Sequence, residues 1–223
     1  MVKPMKSIIL TGPKHSGKTS TGKALASIYS FDFIDLDELI LQRTGKTPRQ
    51  LYIESGICGI SDSSIFKQAE AEAVSYIMTT IVGSDNTMPM LVIAAGGGII
   101  DNPEALTNLK NSGAIMVYLN ISAEKVWNRI AYSSNGEKTK ELPPFLKTEN
   151  PQKTHRLLHE RRAAAYLQIA DIVIEAENKT PEEIAKIIQS NLEMQDSIST
   201  DNQHYTSWHK SFFYYRLKLL MGL

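Results

Sequence analysis

Residues 12–19 read GPKHSGKT, two glycines five apart with a lysine and a threonine directly after the second. Each part of this spacing suits the phosphates of a nucleotide. Gly12 and Gly17 let the backbone curl so that successive N–H groups point inward at an anion. Lys18 brings a positive charge to the outer phosphates, and Thr19 offers a hydroxyl to Mg²⁺. Ser16 and Ser20, beside these residues, complete the candidate ATP-binding loop. The pattern leaves the position of His15 free, and no role is assigned to it.

Two further stretches could do chemistry. In Asp35-Leu36-Asp37, one acid could hold a Mg²⁺-bound water. The other could accept a proton from an attacking hydroxyl, or orient it. The competing reading is an Asp N-cap on the helix that begins with Glu38-Leu39-Ile40. Gly96-Gly97-Gly98 allows a flat backbone against which a ring-shaped ligand could lie, and is also readable as a turn.

A phosphate loop needs a strand before it and a helix after it. Ser7-Ile8-Ile9-Leu10 is a short apolar run, and Ala24, Leu25 and Ile28 recur at helical spacing. Strand and helix signals then alternate. Phe33-Ile34, Leu91–Ala94, Ala114–Leu119 and Ile172–Ile174 read as strands. Ile65, Phe66, Ala69, Ala73, Tyr76 and Ile77 mark one helix face, with Lys67, Glu70 and Glu72 mostly off it. Asn102-Pro103 and Thr180-Pro181-Glu182-Glu183 are helix starts, the second with a capping box. Such alternation implies a parallel sheet covered by helices, whose ligands bind at the carboxyl ends of the strands. All three chemical stretches follow strands. Residues 133–150 are polar and aperiodic and read as a lid, which a phosphotransferase needs to exclude water.

The 223 residues carry a formal net charge of +0, which gives no general attraction to nucleic acid or anionic membrane. One cysteine, Cys58, cannot form an internal disulfide, and no stretch is apolar enough to span a bilayer. A cytoplasmic location is expected. Residues 195–204 read as a polar linker. Beyond it Trp208, Phe212, Tyr215 and Leu219 share one helical face, with Lys210, Arg216 and Lys218 beside them. That tail helix is expected to dock on this chain or on a second copy, with a membrane surface as the alternative.

Together GPKHSGKT, FIDLDELI, IFKQAE, AAGGGIID and HERRAAAYLQIAD, in this order and spacing, resemble the shikimate kinase family over roughly residues 6–190. The resemblance implies an α/β P-loop kinase domain over residues 1–193, with a five-stranded parallel sheet flanked by helices and a separate tail over 194–223. It implies MgATP-dependent phosphorylation of the 3-hydroxyl of shikimate. Lys18 would sit on the phosphates, Thr19 on Mg²⁺, and Asp35 near Mg²⁺ through water. Asp37 would hold the acceptor's hydroxyls and serve as base. Gly96, Gly97, Gly98 and Arg162 would bind the acceptor, with Arg162 on its carboxylate. Phe66 and Tyr52 would lie near that pocket, and the loop containing Lys179 and Pro181 would lie beside adenine.

The sequence also departs from the family. Lys67 stands where an arginine binds the carboxylate, which keeps the charge but loses the two-pronged contact. Pro143 stands where the lid carries an arginine that reaches the phosphates. Lys138, Lys140 or Lys147 could substitute, or Arg156 or Arg161 could swing in. The stretch from Glu54 to Phe66 is longer than the family's, and Ala95 replaces a common Ser or Thr before the glycines. These departures leave two other readings open. One is a kinase of another small hydroxy acid or polyol. The other is a weakly catalytic nucleotide-binding module acting through a partner.

Overall fold

The computed structural model describes residues 6–55, 64–81, 90–132 and 142–201. Five strands form one parallel sheet: β1 (Ile8–Thr11), β2 (Asp32–Asp35), β3 (Leu91–Ala94), β4 (Ile115–Asn120) and β5 (Ile172–Glu175), in the order β2-β3-β1-β4-β5. The register pairs Ile9 with Ile93 on one side and with Met116 on the other. β1 and β3 are buried along their whole length, as the unbroken apolar runs IILT and LVIA require when both sheet faces are covered.

The described residues also form eight α-helices: α1 (Lys18–Tyr29), α2 (Leu36–Thr44), α3 (Pro48–Glu54), α4 (Ser64–Tyr76), α5 (Pro103–Asn111), α6 (Ala123–Ala131), α7 (Pro151–Ile169) and α8 (Pro181–Asp201). The main core joins Ile9, Ile93 and Tyr118 of the sheet to Ile40, Val74, Leu109 and Tyr166 of α2, α4, α5 and α7. Fully burying each such side chain contributes roughly 1.5–3 kcal/mol. A smaller cluster of Ile121, Val126, Ile130 and Leu146, with Trp127, Leu142 and Phe145 against it, anchors the chain just before α7.

The chain divides into two compact units, residues 1–188 and 189–223. Every strand among the described residues and every candidate chemical group lies in the first.

Several local expectations need correction. Ile28 and Ile65 are exposed rather than part of the core, while Glu70 is only 1 % exposed. Residues 195–201, read as linker, continue α8 as helix to Asp201. Their polar composition hid a helix that starts from a complete capping box. Thr180 N donates to Glu183 Oε2 at 2.7 Å, and Glu183 N donates to Thr180 Oγ1 at 3.2 Å. The first half of the lid (133–141), the long connection (56–63) and the aromatic tail (202–223) lie outside the described residues.

Candidate active site

β1 lies where the strand order reverses, so the crevice at its carboxyl end is the natural ligand site of this sheet. Thr11 ends the strand, fully buried, and its Oγ1 donates to Val117 O at 3.1 Å. Gly12 follows at φ 138°, and a Cβ there would stand 2.8 Å from Leu119 O. His15 has φ 61°, in the left-handed region that side chains avoid. Its carbonyl accepts a 2.6 Å bond from Arg129 Nη1. His15 thus enters the loop through its backbone.

Lys18 opens α1 buried. Its Nζ donates to Gly12 O at 2.9 Å and to Pro13 O at 2.7 Å. Burial lowers its pKa to about 8, against the opposing pull of Asp37 and Asp35.

Asp35 uses its two oxygens differently. Oδ1 caps α2, accepting from Asp37 N at 3.0 Å and Glu38 N at 3.4 Å. Oδ2 accepts from Thr19 Oγ1 at 2.6 Å. Asp35 is the extended last residue of β2, and Asp37 sits on the first turn of α2. The change from strand to helix is what aims the two acids apart. Asp37 has its pKa raised, first by burial and then by Asp35, with Lys14 and Lys18 opposing.

Each glycine of the triplet makes room for a specific neighbour. A Cβ on Gly96 would meet Glu70 Oε1 at 2.6 Å. One on Gly97 would meet Lys14 N at 2.7 Å, and one on Gly98 would meet Arg162 Nη2 at 3.2 Å. The triplet therefore brings the phosphate loop, α4 and α7 against one stretch of backbone.

Arg162 spends one edge on Asp101: Nε donates to Oδ2 at 2.8 Å, and Nη2 lies 2.7 Å from the same oxygen. Its Nη1 donates to Gly97 O at 3.2 Å. Arg161 holds the same carboxylate, with Nη1 2.8 Å from Oδ1. These arginines keep the Asp101 pKa low although burial pushes it up.

A cavity of about 880 Å³ brings the candidates together. Gly17, Lys18, Thr19, Ser20, Asp35, Asp37, Tyr52, Phe66, Lys67, Gly96, Gly97, Gly98 and Arg162 line it. Gly12 and Ser16 stand behind Lys18 rather than in the wall. Lys179 and Pro181 are also outside the wall, and Lys179 Nζ donates to Glu175 O at 2.8 Å. Pro143 lines the cavity, with Pro144 and Phe145, and Tyr52 meets Phe145 edge-on at 6.4 Å.

Sequence reasoning missed several polar wall residues, among them Lys14, Arg49, Glu70, Asp101, Lys125 and Arg129. Glu70 is buried, accepts from Asn102 Nδ2 at 3.0 Å through Oε2, and leaves Oε1 without a hydrogen-bond partner. A signal for it existed, since Glu70 lies four residues after Phe66 and three before Ala73 on the same helix face. From the sequence Asn102 reads only as a cap. It does cap α5, its Oδ1 accepting from Ala105 N at 3.3 Å, and its amide also reaches Glu70.

A parallel sheet with a phosphate loop after its central strand, and acids and a cation-lined cavity at the same edge, defines a P-loop phosphotransferase of small molecules. Comparison with known proteins narrows the class. The family model for shikimate kinase matches residues 14–193, and the chain belongs to the shikimate kinase family. It is 33% identical over 184 residues to a shikimate kinase of Thermodesulfovibrio yellowstonii, covering 82% of this chain and 93% of the relative. It is 30% identical over 211 residues to that of a Psychrobacter species, covering 95% and 100%. The structure of the Acinetobacter baumannii shikimate kinase in complex with shikimate superposes with a TM-score of 0.69 at 26% identity, covering 86% of this chain and 94% of that one.

Proposed function

We propose that this protein transfers the terminal phosphoryl group of ATP to the 3-hydroxyl of shikimate, giving shikimate 3-phosphate and ADP, as a cytoplasmic enzyme. The observation that carries the reading is convergence: the phosphate loop, Asp37 and Arg162 face one cavity in a chain of this family. Lys18 and the N–H groups of the loop would hold the donor phosphates. The Thr19 hydroxyl and the Asp35 carboxylate, 2.6 Å apart, are hard oxygen donors that fit Mg²⁺. Thr19 would ligate the ion and Asp35 would hold one of its waters. When bound, Mg²⁺ neutralises charge on the phosphate oxygens.

Asp37 would take the proton of the acceptor hydroxyl. Burial raises its proton affinity, which suits a base more than a fully solvated carboxylate would. As the new O–P bond forms, the bond to ADP breaks and the hydroxyl proton passes to Asp37. Arg162 would bind the acceptor carboxylate, and Tyr52 and Phe66 would cover its ring.

The edge of Arg162 already given to Asp101, together with Lys67 in place of an arginine, favours a second reading in which the acceptor is a different small hydroxy acid. One experiment separates them: ADP release from MgATP with shikimate and with a panel of hydroxy acids and polyols. Turnover with shikimate above every other acceptor is expected. Silence with shikimate and a signal elsewhere would overturn the assignment.

A further inference from the structure

Phosphoryl transfer leaves charge on the three oxygens of the group in flight, and a cation placed there is worth on the order of 10³-fold or more in rate. Pro143 cannot supply it. Arg156 does not line the cavity, and its Nε lies 3.7 Å from Glu160 on α7. Arg161 is also outside the wall, bound to Asp101. Most cations that do line the wall are committed. Lys18 is held by the carbonyls of its own loop, Arg162 by Asp101 and Gly97, Arg129 by the His15 carbonyl and Lys125 by Asn178 Oδ1. Arg49 Nη2 points to the Leu142 carbonyl at 3.4 Å. Lys67 also has a partner, whereas Lys14, among the described wall cations, makes no hydrogen bond or ion pair.

Its place in the chain is specific. Lys14 leaves the phosphate loop where the loop touches the glycine triplet, with its Cβ 3.3 Å from where a Gly97 Cβ would be. Donor and acceptor sites meet at that contact. Its charge is felt on both sides, by Lys18 and by Asp37, and at Asp37 its influence exceeds that of Lys18. We propose that Lys14 is the cation that stabilises the phosphoryl group in flight between ATP and the acceptor hydroxyl, in place of an arginine from the lid. Lys14 keeps its proton throughout, since Asp37 accepts the one released by the hydroxyl. This rests on the phosphotransfer reading and not on shikimate being the acceptor.

The test compares the full chain with Lys14→Met and Lys14→Arg in ADP release from MgATP. Shikimate is the acceptor, and transfer to water without an acceptor is measured in parallel. Urea midpoints within error of wild type establish that each variant folds. Lys14→Met should lower kcat on the order of 10²-fold. Its KM for ATP should stay within about threefold, because the interaction is made in the transition state and not in ground-state binding. Lys14→Arg should recover most of the loss. A Lys14→Met variant with wild-type kcat on shikimate and wild-type transfer to water would overturn the proposal. If wild type ignores shikimate, the acceptor assignment fails, and the rates of transfer to water still decide the role of Lys14.

Discussion

Glu70 shows what a buried charge does to a single residue's thermodynamics. Burial is the largest influence on it and raises its pKa from 4.5 to about 7. The Asn102 amide opposes the rise, Asp37 and Asp101 add to it, and Arg162 opposes it. Between those two pH values the folded chain holds a proton at Glu70 that the unfolded chain has released. The stabilisation is therefore complete below about pH 4.5 and is lost as pH rises through about 7. Glu70→Gln keeps the amide contact and cannot ionise. Relative to wild type it should gain stability as pH goes from 4.5 to 8, on the order of 3 kcal/mol, in urea unfolding at both pH values. A constant difference would mean that Glu70 ionises without cost.

The phosphate loop was legible because its chemistry is written in local spacing. The role of Glu70 depends on α4 packing against the glycine triplet, which no local pattern records. His15 was undecided for a related reason, since its contribution is a backbone angle. At φ 61° a β-branched side chain is strained, so His15→Val should cost about 1–2 kcal/mol. His15→Gly should leave both stability and turnover near wild type. Loss of turnover in His15→Gly would assign the imidazole a function.

At the scale of elements, the β2–α2 junction makes two contacts through one carboxylate, the cap on α2 and the bond from Thr19. Asn caps a helix as well as Asp does. Asp35→Asn should therefore keep stability within about 0.5 kcal/mol, whereas Asp35→Ala should lose about 1–2 kcal/mol with the cap. Both should weaken Mg²⁺-dependent turnover, because Oδ2 faces Thr19 and no longer carries charge. Equal turnover in Asp35→Asn and wild type would reduce Asp35 to a cap. The sequence presented these readings as rivals. A single Asx side chain has two oxygens, and the strand-to-helix turn sends one each way. Helix starts were legible at Asn102 and Thr180, where a cap precedes a proline. The end of α8 was not, since polar residues 195–201 carry no stop signal short of Asp201.

For the whole molecule, alternation of apolar runs and helical patterns announced a parallel α/β sheet. It did not give the order β2-β3-β1-β4-β5, because strand identity says nothing about which strand is a neighbour. That order decides where the charge goes. The chain is neutral overall, yet the cavity wall gathers seven Lys or Arg against four Asp or Glu, a local excess of +3 that favours anionic ligands. Lys18 is the deepest of these cations, and its depth sets a limit on working pH. Its pKa is lowered from 10.5 to about 8, by burial before any other cause. Above that value the free enzyme loses the charge that meets the phosphates. Because kcat/KM for ATP reports the free enzyme, it should fall about tenfold per pH unit beyond about 8. Lys18→Arg provides the control, since a guanidinium stays charged throughout this range. The variant should be less active, because the carbonyl cradle is shaped for an ammonium, but its profile should stay level to higher pH. A wild-type profile level to pH 10, or an alkaline limb unchanged in Lys18→Arg, would place the titrating group elsewhere.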